Sequence, residues 1–140
     1  MTHKVEVNWK GNMLFESNGP GGKVMVDAGE KVGGQGMGVR PKALMLTSLA
    51  GCAGMDIASL MKKMRLTVDD VQINVEGDLT EEHPKYYEKV RVEFRFYGTD
   101  LNREKLTKAV NLSIERYCGV LEMFRRFAEI ETEIVFIEKD

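Results

Sequence analysis

The first third of the chain alternates hydrophobic and polar residues in three short segments that turn residues separate. Val5, Val7 and Trp9 alternate along the first segment, and Gly11 and Asn12 turn the chain into "MLFES". A second turn, "SNGPGGK", leads to "VMVD". Strand side chains point to opposite faces in turn, and short turns reverse the chain, so this pattern predicts three antiparallel strands.

Two longer alternating segments follow later, joined by the turn sequence "TEEHPK". The apolar positions of the second segment are the most regular in the chain. Together the two segments predict a hairpin, and a final strand is predicted over about residues 130–137. The alternating apolar positions are Val71, Ile73 and Val75 in the first segment and Val90, Val92, Phe94 and Phe96 in the second.

The segment "RPKALMLTSLAGCAGMDIASLMKKM", residues 40–64, predicts one long helix. Pro41 suits the first turn, where its missing N–H costs nothing, and cations at the far end interact favourably with the helix dipole. Asn102 predicts the N-cap of a second helix, which Cys118 and Gly119 interrupt before the helical piece "VLEMFRRFA". Short turns join most neighbouring strands, so the order of elements predicts an α+β fold with antiparallel β-sheets around a long central helix.

Composition narrows the class of protein. The chain has 140 residues, 43% of them hydrophobic and 30% charged, with net charge -2. These values are typical of one soluble domain over residues 1–140 and do not suggest a nucleic-acid-binding protein. The start of the chain lacks the apolar core of a signal peptide, and the uncharged run 43–55 is shorter than a membrane span. We therefore expect a cytoplasmic protein with no membrane or nucleic-acid partner.

The glycine-rich loop, residues 28–39, holds five glycines and predicts a mobile or sharply folded segment. Gly34, Gly36 and Gly38 do not have the spacing of a dinucleotide-binding loop, and no GK[ST] follows. Histidine accompanies the cysteines only at positions 3 and 83, without the spacing of metal ligands. No cofactor and no metal are expected.

The long helix carries Cys52 between Gly51 and Gly54, although each glycine in a helix interior costs about 1 kcal/mol relative to alanine. Small neighbours allow either close helix packing or access of a small ligand to the sulfur. Nearby cations favour the nucleophilic thiolate, whereas burial opposes it. Cys118 lies where one helix ends and another begins, a position that suits either a redox partner or a buried, inert cysteine.

Two cysteine motifs carry a family resemblance. "RPKALMLTSLAGCAGMDI" resembles the signature of the OsmC/Ohr family, the osmotically inducible protein C and organic hydroperoxide resistance proteins, in which a proline begins the central helix and the first cysteine follows eleven residues later. "SIERYCGV" resembles the second-cysteine motif of that family. The resemblance covers essentially the whole chain and implies an OsmC-like fold and an intertwined homodimer with active sites at the subunit interface.

The resemblance also implies an activity, namely thiol-dependent reduction of organic hydroperoxides in oxidative-stress defence. Cys52 would be the peroxidatic thiol and Cys118 the resolving thiol, and a lipoyl-type dithiol would reduce the disulfide between them. The alternative is a dimeric OsmC-like protein without peroxidase activity that binds a small apolar ligand, or whose thiols act as a sensor.

The chain departs from the hydroperoxide-resistance branch at two positions. Lys42 stands where that branch has a glutamate, ten residues before the first cysteine. That branch also supplies an arginine from its N-terminal strands, whereas no arginine precedes Arg40 in this chain. The pattern is closer to a divergent OsmC-like branch. Arg40, Lys42 or Lys10 would then have to supply the positive charge that activates the thiolate.

Overall fold

The alternating segments near the N-terminus form a three-stranded antiparallel sheet in the computed structural model, which describes residues 1–139. Trp9 lies opposite Phe15 in this sheet. Gly11 and Asn12 take positive φ angles, 103° and 50°, in the turn between the first two strands. The predicted antiparallel strands are confirmed as β1 (Glu6–Trp9), β2 (Phe15–Gly19) and β3 (Gly22–Val26).

Asp27 organises the glycine-rich loop that follows β3. Its carboxylate accepts hydrogen bonds from the backbone N–H groups of Ala28 at 2.8 Å, Gln35 at 3.2 Å and Met37 at 3.0 Å. The side chain is 1% exposed, and these bonds, that of Met37 foremost, lower the pKa of the carboxyl group although burial opposes the shift. The loop is therefore sharply folded around one carboxylate, with a 3₁₀ turn at Glu30–Val32.

The chain divides into a first unit, Met1–Met45, and a second unit that begins at Leu46. Helix α1 (Pro41–Lys63) begins in the first unit and continues into the second. It starts at the predicted proline, and its last turn carries Lys62 and Lys63, whose charges interact favourably with the helix dipole. The single domain over residues 1–140 stays a prediction.

The second unit contains a three-stranded mixed sheet in the order β4-β5-β6. The predicted hairpin is confirmed, because β4 and β5 pair antiparallel. In contrast, β6 pairs with β5 in parallel, which corrects the expectation of purely antiparallel sheets. The 30-residue connection between these strands includes two helices and returns the chain in the same direction. The strands are β4 (Asp70–Leu79), β5 (Tyr87–Gly98) and β6 (Glu129–Glu138).

The connection from β5 to β6 contains α2 (Arg103–Leu112), a π-helical turn (Ser113–Tyr117) and α3 (Gly119–Arg125). Asn102 is the N-cap of α2, as predicted, and its side chain accepts a hydrogen bond from the backbone N–H of Lys105 at 3.1 Å. The π-helical turn was predicted as a continuation of α2. Single π turns of this kind occur mostly within helices, often at functional sites.

The core of the second unit lies between one face of the sheet and the helices. Strand β5 contributes the alternating residues predicted from its pattern, and α1 contributes a stripe at helical spacing. Cys118 belongs to this buried cluster, and Cys52 packs against it. The principal residues are Val90, Val92, Phe94 and Phe96 of β5 and Leu49, Ala53, Ile57 and Leu60 of α1.

Helix α1 is also long and apolar enough to cross a bilayer by length and composition alone. The sequence prediction considered only the uncharged run 43–55, whereas the apolar part of the helix continues beyond Asp56. The core helix of a soluble protein passes the same test. Within the single chain, 17% of the apolar 18-residue stretch of α1 is buried.

Candidate thiol site

Cys52 lies in the middle of α1 and is half-buried against the core of the second unit. A Cβ atom at Gly51 would meet nothing within 4 Å, whereas one at Gly54 would lie 3.3 Å from Cδ1 of Ile73 in β4. Gly54 therefore allows the close approach of the sheet, and Gly51 leaves the helix surface open. An apolar groove of about 380 Å³ runs along these two glycines.

Cys118 lies between the π-helical turn and α3, where the chain leaves helical geometry for one residue. Its backbone N–H donates to the carbonyl of Ser113 at 2.9 Å, and its Sγ accepts a hydrogen bond from the N–H of Leu121 at 3.4 Å. The residue is 4% exposed. Cys118 thus caps a short helix and is fixed on both sides by backbone hydrogen bonds.

The structure brings the two predicted cysteines together. Both thiols are free, they pack in the same core cluster, and Cys52 lies close enough to Cys118 to affect its ionisation. Burial raises the pKa of Cys118 to about 11, the N–H of Leu121 opposes the shift, and Cys52 and the charge of Asp56 add to it. A half-exposed thiol therefore lies beside a buried thiol that keeps its proton at neutral pH.

A carboxylate that the sequence analysis did not select lies next to the thiols. Asp56 follows Cys52 by one helical turn, and its Oδ2 accepts a hydrogen bond from Oγ of Ser113 at 2.8 Å. Ser113 is fully buried. The sequence contains one signal that could have identified Asp56: it is the sole acidic residue of α1 and lies four positions after Cys52.

Arg125 supports the same turn from α3. Its Nη2 donates to the backbone carbonyl of Ile114, and its Nη1 pairs with Glu122 at 3.3 Å. Arg125 is exposed, and its guanidinium also satisfies a carbonyl within the π-helical turn.

Arg40 and Lys42, the predicted thiolate-activating residues, belong to the first unit, whereas both cysteines belong to the second. The Arg40 guanidinium donates to the carbonyl of Gly38 at 2.9 Å. Lys42 is exposed in the first turn of α1. Their action on Cys52 stays a prediction.

Among residues 1–139, no group of three or more His, Cys, Asp or Glu side chains has an arrangement that could hold a metal ion. The residues brought together are two cysteines, one carboxylate and one buried hydroxyl. Such a set can carry out thiol–disulfide exchange and thiol oxidation, in which the accessible thiol reacts first with an external oxidant and the buried thiol then forms a disulfide with it.

Residues 34–133 match the family model described as OsmC-like protein. The chain belongs to the OsmC-like family. Protein YhfA of Escherichia coli K12 is 30% identical to it over 90 residues, which are 64% of this chain and 67% of that protein. The predicted family is thereby confirmed.

Solved structures agree with the OsmC-like fold. A hypothetical protein from Aquifex aeolicus VF5 superposes with a TM-score of 0.87 and 28% identity, covering 100% of this chain and 99% of that one. The organic hydroperoxide resistance protein OhrB of Bacillus subtilis has a TM-score of 0.66 and 20% identity, with 96% and 98% covered. The second likeness shows the fold alone. The α+β, OsmC-like fold class is confirmed, and the family supports a redox or stress-response protein.

Proposed function

We propose that this OsmC-like protein reduces organic hydroperoxides, with Cys52 as the peroxidatic thiol and Cys118 as the resolving thiol. The observation that carries the proposal is that two free thiols, one half-buried and one buried, share the same core cluster and lie close enough for Cys52 to affect the ionisation of Cys118. A resolving thiol must reach the oxidised sulfur without being oxidised first. The burial of Cys118 meets that requirement.

The reaction proceeds in two steps on the protein. The Cys52 thiolate attacks the terminal oxygen of the hydroperoxide, an S–O bond forms as the O–O bond breaks, and the leaving alkoxide takes up a proton to become an alcohol. Cys118 then attacks the Cys52 sulfenic acid, and the S–S bond replaces the S–O bond with release of water. A lipoyl-type dithiol reduces the disulfide by two thiol exchanges and restores both thiols.

The protein acts as a homodimer in this proposal, as OsmC/Ohr proteins generally do. Support comes from the exposed apolar surface of α1, on which Met55 is 76% exposed in the single chain. Large exposed apolar surfaces on a protein mark interaction sites. The open face at Gly51 would allow a second helix to approach closely.

The test is turnover of cumene hydroperoxide with dihydrolipoamide as the reductant. Cys52→Ser abolishes turnover, whereas Cys118→Ser accumulates a sulfenic acid that dimedone traps at Cys52. Ser59→Ala, an exposed position on the same helix, leaves the rate unchanged. Turnover that persists in Cys52→Ser, or its absence from the fully reduced wild type, contradicts the proposal.

Arg40 and Lys42 are the proposed sources of the positive charge that favours the Cys52 thiolate. Exchanging each for glutamine removes the charge and keeps a polar side chain. We expect a slower first oxidation of Cys52 in at least one of these variants. The oxidation rates are measured by stopped-flow with limiting hydroperoxide. Unchanged rates in both variants would show that neither Arg40 nor Lys42 activates Cys52.

The second candidate function is binding of a small apolar ligand, and the groove beside Gly51 and Gly54 favours it. The walls are small or aliphatic, which suits a hydrocarbon group. The alternative predicts a ligand that co-purifies or raises the melting temperature equally in the reduced and oxidised protein. Stabilisation that depends on the thiol state assigns the ligand to the peroxidase cycle instead.

A further inference from the structure

Asp56 and Ser113 connect the two segments that carry the cysteines. Asp56 lies on α1, one turn after Cys52, and Ser113 begins the π-helical turn that leads to Cys118. The side chain of Ser113 donates to Asp56 at 2.8 Å, while its carbonyl accepts the N–H of Cys118 at 2.9 Å. A continuous path of two hydrogen bonds therefore joins α1 to the backbone of Cys118.

The burial of this path makes it a strong constraint. Ser113 is 0% exposed, and a buried hydroxyl without a partner would be costly, so the bond to Asp56 holds the turn in place. A carboxylate acceptor makes the bond charge-assisted. Arg125 fixes the next carbonyl of the turn, that of Ile114, from the other side.

We propose that Asp56 is a positioning residue: through the Ser113 hydroxyl it holds Cys118 near Cys52, and its negative charge moves the capture of the oxidised Cys52 sulfur by Cys118 to higher pH. The inference rests on the proposed function, since it assigns a role within the capture step. Asp56 lies within the first cysteine motif and Ser113 begins the second, and the inference gives this pair a role beside the two thiols.

The chemistry of the capture step explains how the charge of Asp56 would affect Cys118. The Cys118 thiol must lose its proton to solvent before its sulfur attacks Cys52, and an anion nearby opposes that loss. Consistent with this, the charge of Asp56 contributes to the raised pKa of Cys118. From α1, Cys52 and Asp56 face Cys118, and the sheet residues of the same core are apolar. The charged groups near the turn are Glu115, Arg116, Glu122 and Arg125.

The experiment uses 4,4′-dithiodipyridine, so it does not depend on any reaction with hydroperoxide. Cys52 attacks the reagent and releases one thiopyridone, leaving a mixed disulfide. Cys118 then attacks the Cys52 sulfur, forms the Cys52–Cys118 disulfide and releases a second thiopyridone. Stopped-flow absorbance resolves the two releases, and the rate of the second is measured from pH 6 to pH 10, an interval chosen around ordinary thiol pKa values.

The variants separate geometry from charge. Asp56→Asn keeps an acceptor for the Ser113 hydroxyl and removes the charge, so the pH profile of the second release moves to lower pH. Ser113→Ala keeps the charge and removes the bond, so the second release slows by about tenfold or more without that shift. Asp56→Ala combines both effects. Glu104→Gln, an exposed carboxylate on α2, changes neither release.

The outcomes are decisive in either direction. A second release at the wild-type rate in Asp56→Ala, with an unchanged pH profile in Asp56→Asn, overturns the inference. If Ser113→Ala does not fold, as circular dichroism would show, the profile of Asp56→Asn alone decides. A protein that shows the two-step release but no hydroperoxide turnover disproves the proposed function and leaves the role of Asp56 standing.

Discussion

The backbone N–H of Leu121 donates a hydrogen bond to Cys118 Sγ at 3.4 Å within the buried core. Even with this bond, burial raises the pKa of Cys118 to about 11, so about one thiol in a thousand is ionised at pH 8. Cys52 is half-buried and therefore more accessible. We expect iodoacetamide to alkylate Cys52 first, with Cys118 at least about tenfold slower.

Peptide mass spectrometry over a time course measures the two alkylation rates in the native protein. In denaturant the two cysteines should react at similar rates, which controls for intrinsic reactivity. Equal rates in the native state, or faster alkylation of Cys118, would contradict the asymmetry on which the division of roles rests.

Asp27 should make the stability of the protein dependent on acid pH. Its pKa is lowered in the folded state by the hydrogen bonds from Met37, Ala28 and Gln35, so it stabilises the fold above the unfolded-state pKa. That stabilisation is lost as the pH falls through the lower, folded-state pKa. Asp27→Asn should lower the melting temperature at pH 7, because an amide cannot accept all three bonds.

The same substitution should flatten the decline of melting temperature as the pH falls below the ordinary carboxyl pKa of about 4. Glu30→Gln, an exposed acidic residue of the same loop, is the matched control and should keep the wild-type profile. An equal acid dependence in wild type and Asp27→Asn would show that other groups dominate the transition.

Gly77 of β4 is required by the ring of Tyr87 on the neighbouring strand. A Cβ atom at Gly77 would lie 2.5 Å from Cδ1 of Tyr87, which is itself buried. Gly77→Ala should therefore destabilise the fold by about 1–3 kcal/mol, the usual cost of overpacking. Gly119→Ala, where a Cβ meets nothing within 4 Å, should change it by less than about 0.5 kcal/mol.

Urea unfolding followed by circular dichroism compares these two alanine variants at one protein concentration. Similar unfolding midpoints for both would mean that the Tyr87 ring moves aside without cost.

Met55 should be a contact of the proposed dimer, because it is 76% exposed on the apolar helix α1. Met55→Glu would place a charge where an apolar partner surface is expected, and burying an unpaired charge is strongly unfavourable. Sedimentation velocity should show a dimer for the wild type and a monomer for Met55→Glu. Lys108→Glu, exposed on α2, should remain dimeric; a dimeric Met55→Glu would place the interface elsewhere.

Local patterns were sufficient for most elements of this protein. The alternation along β5 predicted both a strand and its buried face, since the period of two is a property of the strand itself. Pro41 and Asn102 marked where α1 and α2 begin, because both act on the unsatisfied N–H groups of a helix start. The two cysteine motifs identified the family that the match over residues 34–133 confirms.

Tertiary structure alone decided how those elements meet. Alternation of apolar and polar residues along a strand does not reveal which strand pairs with it, so the parallel pairing of β6 with β5 was not predicted. Asp56 and Ser113 are 57 residues apart, and neither has a local pattern that names the other as its partner. Sequence therefore determined the elements, their apolar faces and the two thiols, which depend on near neighbours. The proximity of those thiols to each other and to the Asp56 carboxylate depends on packing between distant parts of the chain.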